Sequence, residues 1–109
     1  TMPSADMPPG TLPLLILRVL RTGSLHGYAI AQRIRQVSDS VLEAEEGSLY
    51  PALQRMLMKG WLESEWGVSE TNRKVRFYRL TEEGRRQLDT EVAEYQRVNA
   101  AIRAILDFA

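Results

Sequence analysis

Residues 47–60 read Gly-Ser-Leu-Tyr-Pro-Ala-Leu-Gln-Arg-Met-Leu-Met-Lys-Gly, and this pattern predicts one short helix with marked ends. Ser48 is a good N-cap, because its hydroxyl can accept from a free amide of the first turn. Pro51 is expected in that first turn, where a missing N–H costs nothing. Gly60 stands where a helix ends in a left-handed residue.

The predicted helix has one apolar face and one polar face. The apolar face consists of four residues at helical spacing: Leu49, Leu53, Met56 and Leu57. The polar face, which includes no acidic side chain, is formed by Ser48, Tyr50, Pro51, Gln54, Arg55 and Lys59. Taken alone, this helix favours the ordinary interpretation, in which the polar face is merely solvated. The neighbouring segments favour a second interpretation, in which this face contacts nucleic acid.

The charge of the chain is unevenly distributed. The 109 residues are enough for one domain with a modest core. Fourteen basic and 14 acidic side chains cancel, which by itself argues against nucleic acid as a partner. Residues 47–79, however, hold six basic and three acidic side chains, so the middle third is basic. The six basic residues are Arg55, Lys59, Arg73, Lys74, Arg76 and Arg79.

Residues for catalysis or metal binding are scarce. The chain contains no Cys, which excludes a disulfide, a thiolate metal site and a Cys nucleophile. Its one imidazole, His26, stands near a helix start, where a cap or a phosphate contact is more common than a general base. The carboxylates of residues 43–46 have no metal-ligand partners. We therefore expect no enzyme, no cofactor and no metal site.

The first third of the chain predicts an arm and a buried helix. Residues 1–10 are rich in Pro without periodicity, which indicates a flexible arm. Residues 12–22 predict a helix that is apolar on nearly all sides. Because so small a chain can hardly surround this helix, part of it, including Leu14 and Leu17, is expected to meet a second copy. The apolar run is too short for a membrane span and lacks a signal-peptide pattern, so we expect a cytoplasmic protein.

The segment before the opening stretch completes a helix-turn-helix. Residues 28–37 predict a helix with Ile30, Ile34 and Val37 on its inner side. A polar connection over residues 38–46 leads into the helix described first. Two helices joined in this way, the second with a polar face, are typical of a helix-turn-helix, although the linker is longer than in the tightest versions.

After Gly60 the pattern changes from helical spacing to alternation. Residues 61–66 and 75–80 predict two strands, and residues 67–74 predict the loop between them. A hairpin directly after a candidate recognition helix is a wing. Many small domains contain a hairpin with solubilising charges. Here three cations, Arg73, Lys74 and Arg76, stand beside a basic helix face, and this favours contact with DNA.

The last helix is long and carries a heptad seam. Thr81 is a good N-cap, and the helix is predicted to run to about Phe108. The seam alternates steps of four and three over Leu88, Val92, Tyr95, Asn99, Ile102 and Leu106. The rest of the chain is too short to cover this stripe, so self-association is favoured over a helix folded back along the domain. Asn99 is expected to fix the register of the pair.

Three motifs carry a resemblance to a known family. They are HGYAI at residues 26–30, EGSLYPAL at 46–53 and YRLTEEG at 78–84. Together they resemble the PadR family of bacterial transcriptional regulators, from about residue 14 to residue 88. The resemblance implies a winged helix-turn-helix, a homodimer and a near-palindromic operator, usually bound by a repressor.

A single helix after the wing resembles the subgroup with a small C-terminal domain. In some members, flat aromatic or multidrug-like ligands enter a pore at the dimer interface and stack on a Trp of the last helix. The last helix of this chain has Tyr95 and no Trp. The chain departs from the family pattern at this point, and Tyr95 and Asn99 are the residues expected to contact a small hydrophobic effector.

The combined expectation is an α+β fold, mostly α. A winged helix-turn-helix domain occupies residues 11–80 and a dimerisation helix residues 81–109. Gln54 and Arg55 are candidates for base edges, and Ser48 and Tyr50 for phosphates. Lys74 and Arg76 are expected to contact the DNA backbone or the minor groove. The alternative is a winged domain that contacts only other proteins, which the zero net charge slightly favours.

Overall fold

The computed structural model describes residues 7–109, so most of the arm predicted over residues 1–10 lies outside the described residues. The described elements are α1 (Thr11–Leu20), β1 (Leu25–His26), α2 (Gly27–Val37), α3 (Glu46–Met58), β2 (Leu62–Val68), β3 (Lys74–Leu80) and α4 (Glu82–Asp107). This is the predicted winged helix-turn-helix followed by a long helix. None of the helices in this part of the chain is long and apolar enough to cross a membrane.

The wing belongs to a three-stranded antiparallel sheet in the order β1-β3-β2. The β2–β3 ladder runs from the pair Leu62–Leu80 at the core to the pair Val68–Lys74 near the tip. The sequence predicted only these two strands. The third, β1, has two residues and pairs His26 with Phe77. Two residues are too few to produce a periodic pattern, so the segment resembled a simple connection.

The core lies where α1, α2, α3 and the root of the hairpin meet. Its members are Ile16, Leu17, Leu20, Ile30, Ile34, Leu49, Ala52, Leu53, Met56, Leu62, Tyr78, Leu80 and Leu88. Leu17 and Leu88 were predicted to lie in the dimer interface, and this is wrong because their exposed fractions are 0% and 3% within one chain. Helix α1 is covered by α2, α3, α4 and β3 of its own chain. The side of α1 that includes Ile16, Leu17 and Leu20 is therefore covered within one chain, whereas Leu14 and Leu15 are only half-buried.

Helix α3 begins earlier than predicted. Its N-cap is Glu45, whose carbonyl accepts from the amides of Ser48 at 3.0 Å and Leu49 at 2.8 Å. The prediction of Ser48 as the cap was wrong, and so was that of Pro51 in the first turn. Glu46 occupies the first turn instead, where a negative charge is favourable beside the positive end of the helix dipole. Gly60 has the predicted left-handed backbone, with φ of 78°.

The start of α4 is fixed to the end of α3. The Thr81 hydroxyl caps the helix by accepting from the Gly84 amide at 3.0 Å, as predicted. The same hydroxyl donates to the Gly60 carbonyl at 2.6 Å, and the Thr81 amide donates to the Trp61 carbonyl at 3.0 Å. Gly84 is buried against that Trp61 carbonyl, and a Cβ there would overlap with it. The first turns of α4 are thus held in one position against the wing.

The second half of α4 leaves the domain. Val92 is half-buried against the core, whereas every residue from 93 to 109 is exposed. The described chain is accordingly elongated, with a longest extent of 57 Å. The exposed part carries large apolar side chains: Tyr95, Val98, Ile102, Ile105, Leu106 and Phe108. A surface of this composition is unusual for a chain that remains alone in water.

Candidate nucleic-acid interface

A concave groove of about 980 Å³ lies between the start of α2, the outer face of α3 and the wing. The antiparallel pairing of β1 with β3 brings α2 next to the wing and closes one side of this groove. Its lining is contributed by His26, Gly27, Tyr28, Ala29, Gln32, Glu46, Tyr50, Gln54, Trp66, Ser69, Glu70, Thr71, Arg73, Lys74, Val75, Arg76 and Tyr78.

The predicted DNA-binding residues divide into two groups. Ser48, Tyr50, Pro51, Gln54, Arg55, Lys59, Arg73, Lys74 and Arg76 are all exposed. Five of them line the groove: Tyr50, Gln54, Arg73, Lys74 and Arg76. The other four lie on α3 outside it. Among these, Lys59 sits at the far end of the helix with its Nζ 4.6 Å from the centre of the Trp61 ring. Tyr50 and Gln54 belong to α3 and also line the groove, so the groove adjoins the exposed face of this helix.

Tyr50 joins two of the sequence motifs. Its phenol ring lies on Gly27, where a Cβ would stand 2.6 Å from the hydroxyl oxygen and 2.8 Å from two ring carbons. Gly27 thus leaves the space that Tyr50 fills, which links the HGY segment to the start of α3. Burial raises the pKa of the Tyr50 phenol, and the nearby Glu46 and Tyr78 raise it further. The phenol is protonated near neutral pH, as an ordinary tyrosine is, and its hydroxyl can donate to an acceptor such as a phosphate oxygen.

His26 is the cap of α2. Its Nδ1 accepts from the amide of Ala29 at 3.3 Å, so the neutral ring carries its proton on Nε2. The ring packs edge-on against Phe77, with 5.5 Å between the ring centres. The sequence had indicated a cap or a phosphate contact for this residue. It did not indicate that His26 lines the groove, because that position depends on the two-residue strand β1.

The two faces of the wing differ in charge. Arg79 forms ion pairs with Glu63 at 2.7 Å and with Glu65 at 3.3 Å on the face away from the groove. Lys74 and Arg76 stand on the opposite face, beside the groove. One of the six basic residues in the middle third is therefore neutralised locally, while the groove face keeps its cations.

The groove itself is mildly basic. Its charged lining consists of three cations and two carboxylates, giving a net charge of +1 with His26 neutral. The carboxylates are Glu46 and Glu70, and the cations are Arg73, Lys74 and Arg76. Arg55 and Lys59 add two further positive charges on the adjoining face of α3. The balance over this whole surface is positive although the chain as a whole is neutral.

A recognition helix beside a cationic wing defines a winged helix-turn-helix protein of the kind that regulates transcription. The model of the transcriptional regulator PadR-like family matches residues 16–90. The chain belongs to this family, whose members are regulators of transcription, not enzymes. The resemblance carried by the three sequence motifs is confirmed.

Solved structures of similar proteins support the same assignment. A transcriptional regulator from Clostridium thermocellum is 30% identical with a TM-score of 0.79, over 86% of this chain and 91% of the other. A PadR family regulator from Clostridium difficile is 27% identical with a TM-score of 0.77, over 89% and 99% of the two chains. Bacillus subtilis PadR, solved in complex with operator DNA, is 26% identical with a TM-score of 0.69, over 79% and 48%.

Proposed function

We propose that this chain is a cytoplasmic repressor that binds a near-palindromic operator as a homodimer and is released by a small hydrophobic ligand. The observation that carries the proposal is the groove between α3 and the wing, which continues onto the exposed polar face of α3. The similarity to Bacillus subtilis PadR, a protein solved with operator DNA, supports DNA as the partner of this chain.

The side chains of this surface suit different parts of a DNA duplex. Gln54 and Arg55 have the amide and guanidinium groups that pair with base edges in the major groove. Ser48 and the neutral Tyr50 hydroxyl suit phosphate oxygens near the start of α3. Lys74 and Arg76 suit the backbone or the minor groove beside the wing. In this arrangement α3 supplies the sequence preference, and the wing adds affinity that depends on salt.

The exposed half of α4 supports the homodimer. With Leu17 and Leu88 assigned to the core of one chain, the proposed interface consists of Val92, Tyr95, Asn99, Ile102 and Leu106, with Leu14 of α1 at its edge. The 26 residues of α4 span about 39 Å, enough to pair along several turns. A two-fold pair repeats the recognition helix, and binding to successive major grooves requires a separation of roughly 34 Å.

The proposed effector site lies on the same helix. Tyr95 offers an aromatic face and Asn99 an amide one turn further on, and both are exposed in a single chain. A second α4 packed across them would enclose a flat apolar ligand between two tyrosines. Because this site lies at the interface, a bound ligand would change the angle between the two α4 helices. The separation of the recognition helices, and with it operator affinity, would change as a result.

Selection from a randomised duplex pool tests the proposed function. Purified protein is expected to enrich an inverted repeat whose half-sites are about 10 base pairs apart. Footprinting of the enriched duplex should show protection of both half-sites. If no sequence is enriched and no duplex is shifted at low salt, the chain is instead the winged module for protein contacts.

The substitution Arg55→Ala tests the reading face of α3. Because Arg55 is exposed and outside the core, the loss should fall on DNA binding, by about 1–3 kcal/mol for the enriched duplex. Thermal unfolding should change little. Arg85→Ala removes another exposed guanidinium, on α4, and serves as the control. Operator affinity that is the same in both variants would remove Arg55 from the interface.

The substitution Lys74→Ala tests the wing through salt. Removal of one phosphate contact makes the slope of log affinity against log salt shallower by about one unit, hence by about two per dimer. Sequence preference should stay the same. Arg79→Ala removes a cation from the opposite face of the same hairpin, where it is already paired with Glu63 and Glu65. A changed preference with an unchanged slope would mean that Lys74 contacts bases.

A further inference from the structure

Trp66 is a large aromatic side chain that is exposed on the surface of the wing. It is 63% exposed and lines the groove. On the β2–β3 ladder it lies directly opposite Arg76, and Lys74 is two residues before Arg76 on β3. These three side chains therefore share one face of the hairpin. Tyr78, two residues after Arg76 on β3, lies on the same face and is buried. This end of the face is therefore anchored in the core.

Two cationic side chains lie close to the indole ring of Trp66. The Lys74 ammonium lies 5.0 Å from the centre of the Trp66 ring, and the Arg76 guanidinium lies 5.7 Å from it. Both distances are within the range in which the negative face of an aromatic ring attracts a cation, and tryptophan is the most effective ring for this. The attraction offsets the repulsion between two like charges that stand next to each other on one strand.

An aromatic ring holds a cation without cancelling its charge. Ion pairs with carboxylates are formed by Arg79, Arg86 and Arg97, which are thereby partly neutralised. Among the ion pairs of residues 7–109, none includes Lys74 or Arg76. These two cations are oriented by Trp66 and keep their full charge for an anionic partner.

We infer that Trp66 is the positioning residue of the wing, which holds the Lys74 ammonium and the Arg76 guanidinium toward the DNA backbone before DNA arrives. Long basic side chains lose rotamer freedom when they bind, and prior ordering on the ring reduces that loss. Trp66 acts through the two cations, not by its own contact with DNA. The inference rests on the proposed function, since it assigns the phosphates of a duplex as the partners of these cations.

The first test uses the protein without DNA. A methylene group above an indole ring gives an NMR signal displaced upfield by the ring current. The terminal methylene signals of Lys74 and Arg76 are expected to be displaced in the wild type and to return to ordinary positions in Trp66→Leu. The Arg79 signals, from the opposite face of the hairpin, are the internal control. Ordinary positions in the wild type would overturn the inference whatever the protein binds.

The second test is a double-mutant cycle on the duplex enriched from the randomised pool. Loss of the prior ordering of two long basic side chains in Trp66→Leu should weaken binding about 10-fold per half-site. Trp66→Phe keeps a ring and should weaken it less, about 3-fold. In a chain that already carries Lys74→Ala and Arg76→Ala, Trp66→Leu should have an effect of less than about 2-fold, because nothing remains to be positioned.

The outcomes of the two tests are distinct. An equal loss of affinity in both backgrounds means that Trp66 contacts DNA itself or supports the fold, and this overturns the inference. Thermal unfolding identifies any variant that fails to fold. If Trp66→Leu is such a variant, Trp66→Phe replaces it in the cycle, and its effect on affinity is compared with and without the two cations. If the wild type binds no duplex, the proposed function fails and the DNA-positioning role fails with it. The NMR displacement then still shows whether the ring holds the cations.

Discussion

Ile102→Glu is expected to shift the proposed dimer to monomer and to weaken operator binding more than the removal of any one DNA contact. Ile102 is 53% exposed in a single chain, and Tyr95 one heptad earlier is 55% exposed. Each large apolar side chain left in water forgoes about 1.5–3 kcal/mol of burial. A symmetric partner would cover both residues, so a glutamate at residue 102 brings two like charges together at the interface.

The consequence for DNA follows from the two half-sites. A dimer holds both recognition helices at a fixed separation, whereas a monomer must bind each half-site singly. The effect of Ile102→Glu on affinity is therefore expected to exceed the 1–3 kcal/mol assigned to Arg55→Ala. Thermal stability should fall as well, because the exposed part of α4 loses its cover.

Sedimentation of the wild type and the variant measures the change directly. Ala104→Glu is the matched control, since residue 104 lies two positions further along α4 and about 200° around the helix from Ile102. It adds the same charge to the same exposed helix on the side away from the seam, and it should leave the dimer intact. A wild type that sediments as a monomer, or an Ile102→Glu dimer as tight as the wild type, would contradict the two-half-site model.

The seam of α4 shows what a repeat pattern does and does not predict. Leu88 and Tyr95 lie on one stripe seven residues apart, and the spacing correctly predicted that both face the same way. It did not predict what covers each of them. Leu88 is covered by the core of its own chain, whereas Tyr95 is exposed. Periodicity identifies an apolar face, but the partner of that face depends on the tertiary fold.

The same reasoning explains the error at Leu17. An apolar helix needs cover, and the sequence could not show that α2, α3, α4 and β3 supply it on the side that includes Leu17. Residues of α3, by contrast, were assigned correctly to their faces, because Leu49, Leu53 and Met56 follow one helical stripe. Local signals also found the Thr81 cap and the left-handed Gly60.

The groove was predicted only in part. The wing cations Arg73, Lys74 and Arg76 lie close together in the sequence, and all three line the groove. His26 and Trp66 were not assigned to this site, although both line it. His26 reaches the groove through the two-residue strand β1, and Trp66 through its position opposite Arg76 on the hairpin. Both placements depend on strand pairing, which residue types alone do not specify.

Gly84→Ala is expected to lower the free energy of unfolding by roughly 2–3 kcal/mol, although helix propensity predicts the opposite. Alanine is favoured over glycine inside a helix by about 1 kcal/mol. At this position, however, the new methyl group would overlap with the backbone carbonyl of Trp61. Backbone atoms cannot turn aside as a flexible side chain can, so the start of α4 must move. That movement stretches the hydrogen bonds from Thr81 to Gly60 and Trp61.

Gly47→Ala is the matched control for this substitution. Gly47 lies in the first turn of α3, and a Cβ there meets nothing within 4 Å. This variant should be stabilised by about 0.5–1 kcal/mol, as propensity predicts. Thermal unfolding of both variants measures the difference, with Gly84→Ala expected to melt about 10 °C below the wild type. If both variants gain stability alike, α4 does not approach Trp61 so closely. The proposed effect of the angle between two α4 helices on the recognition helices then lacks a rigid connection between α4 and the wing.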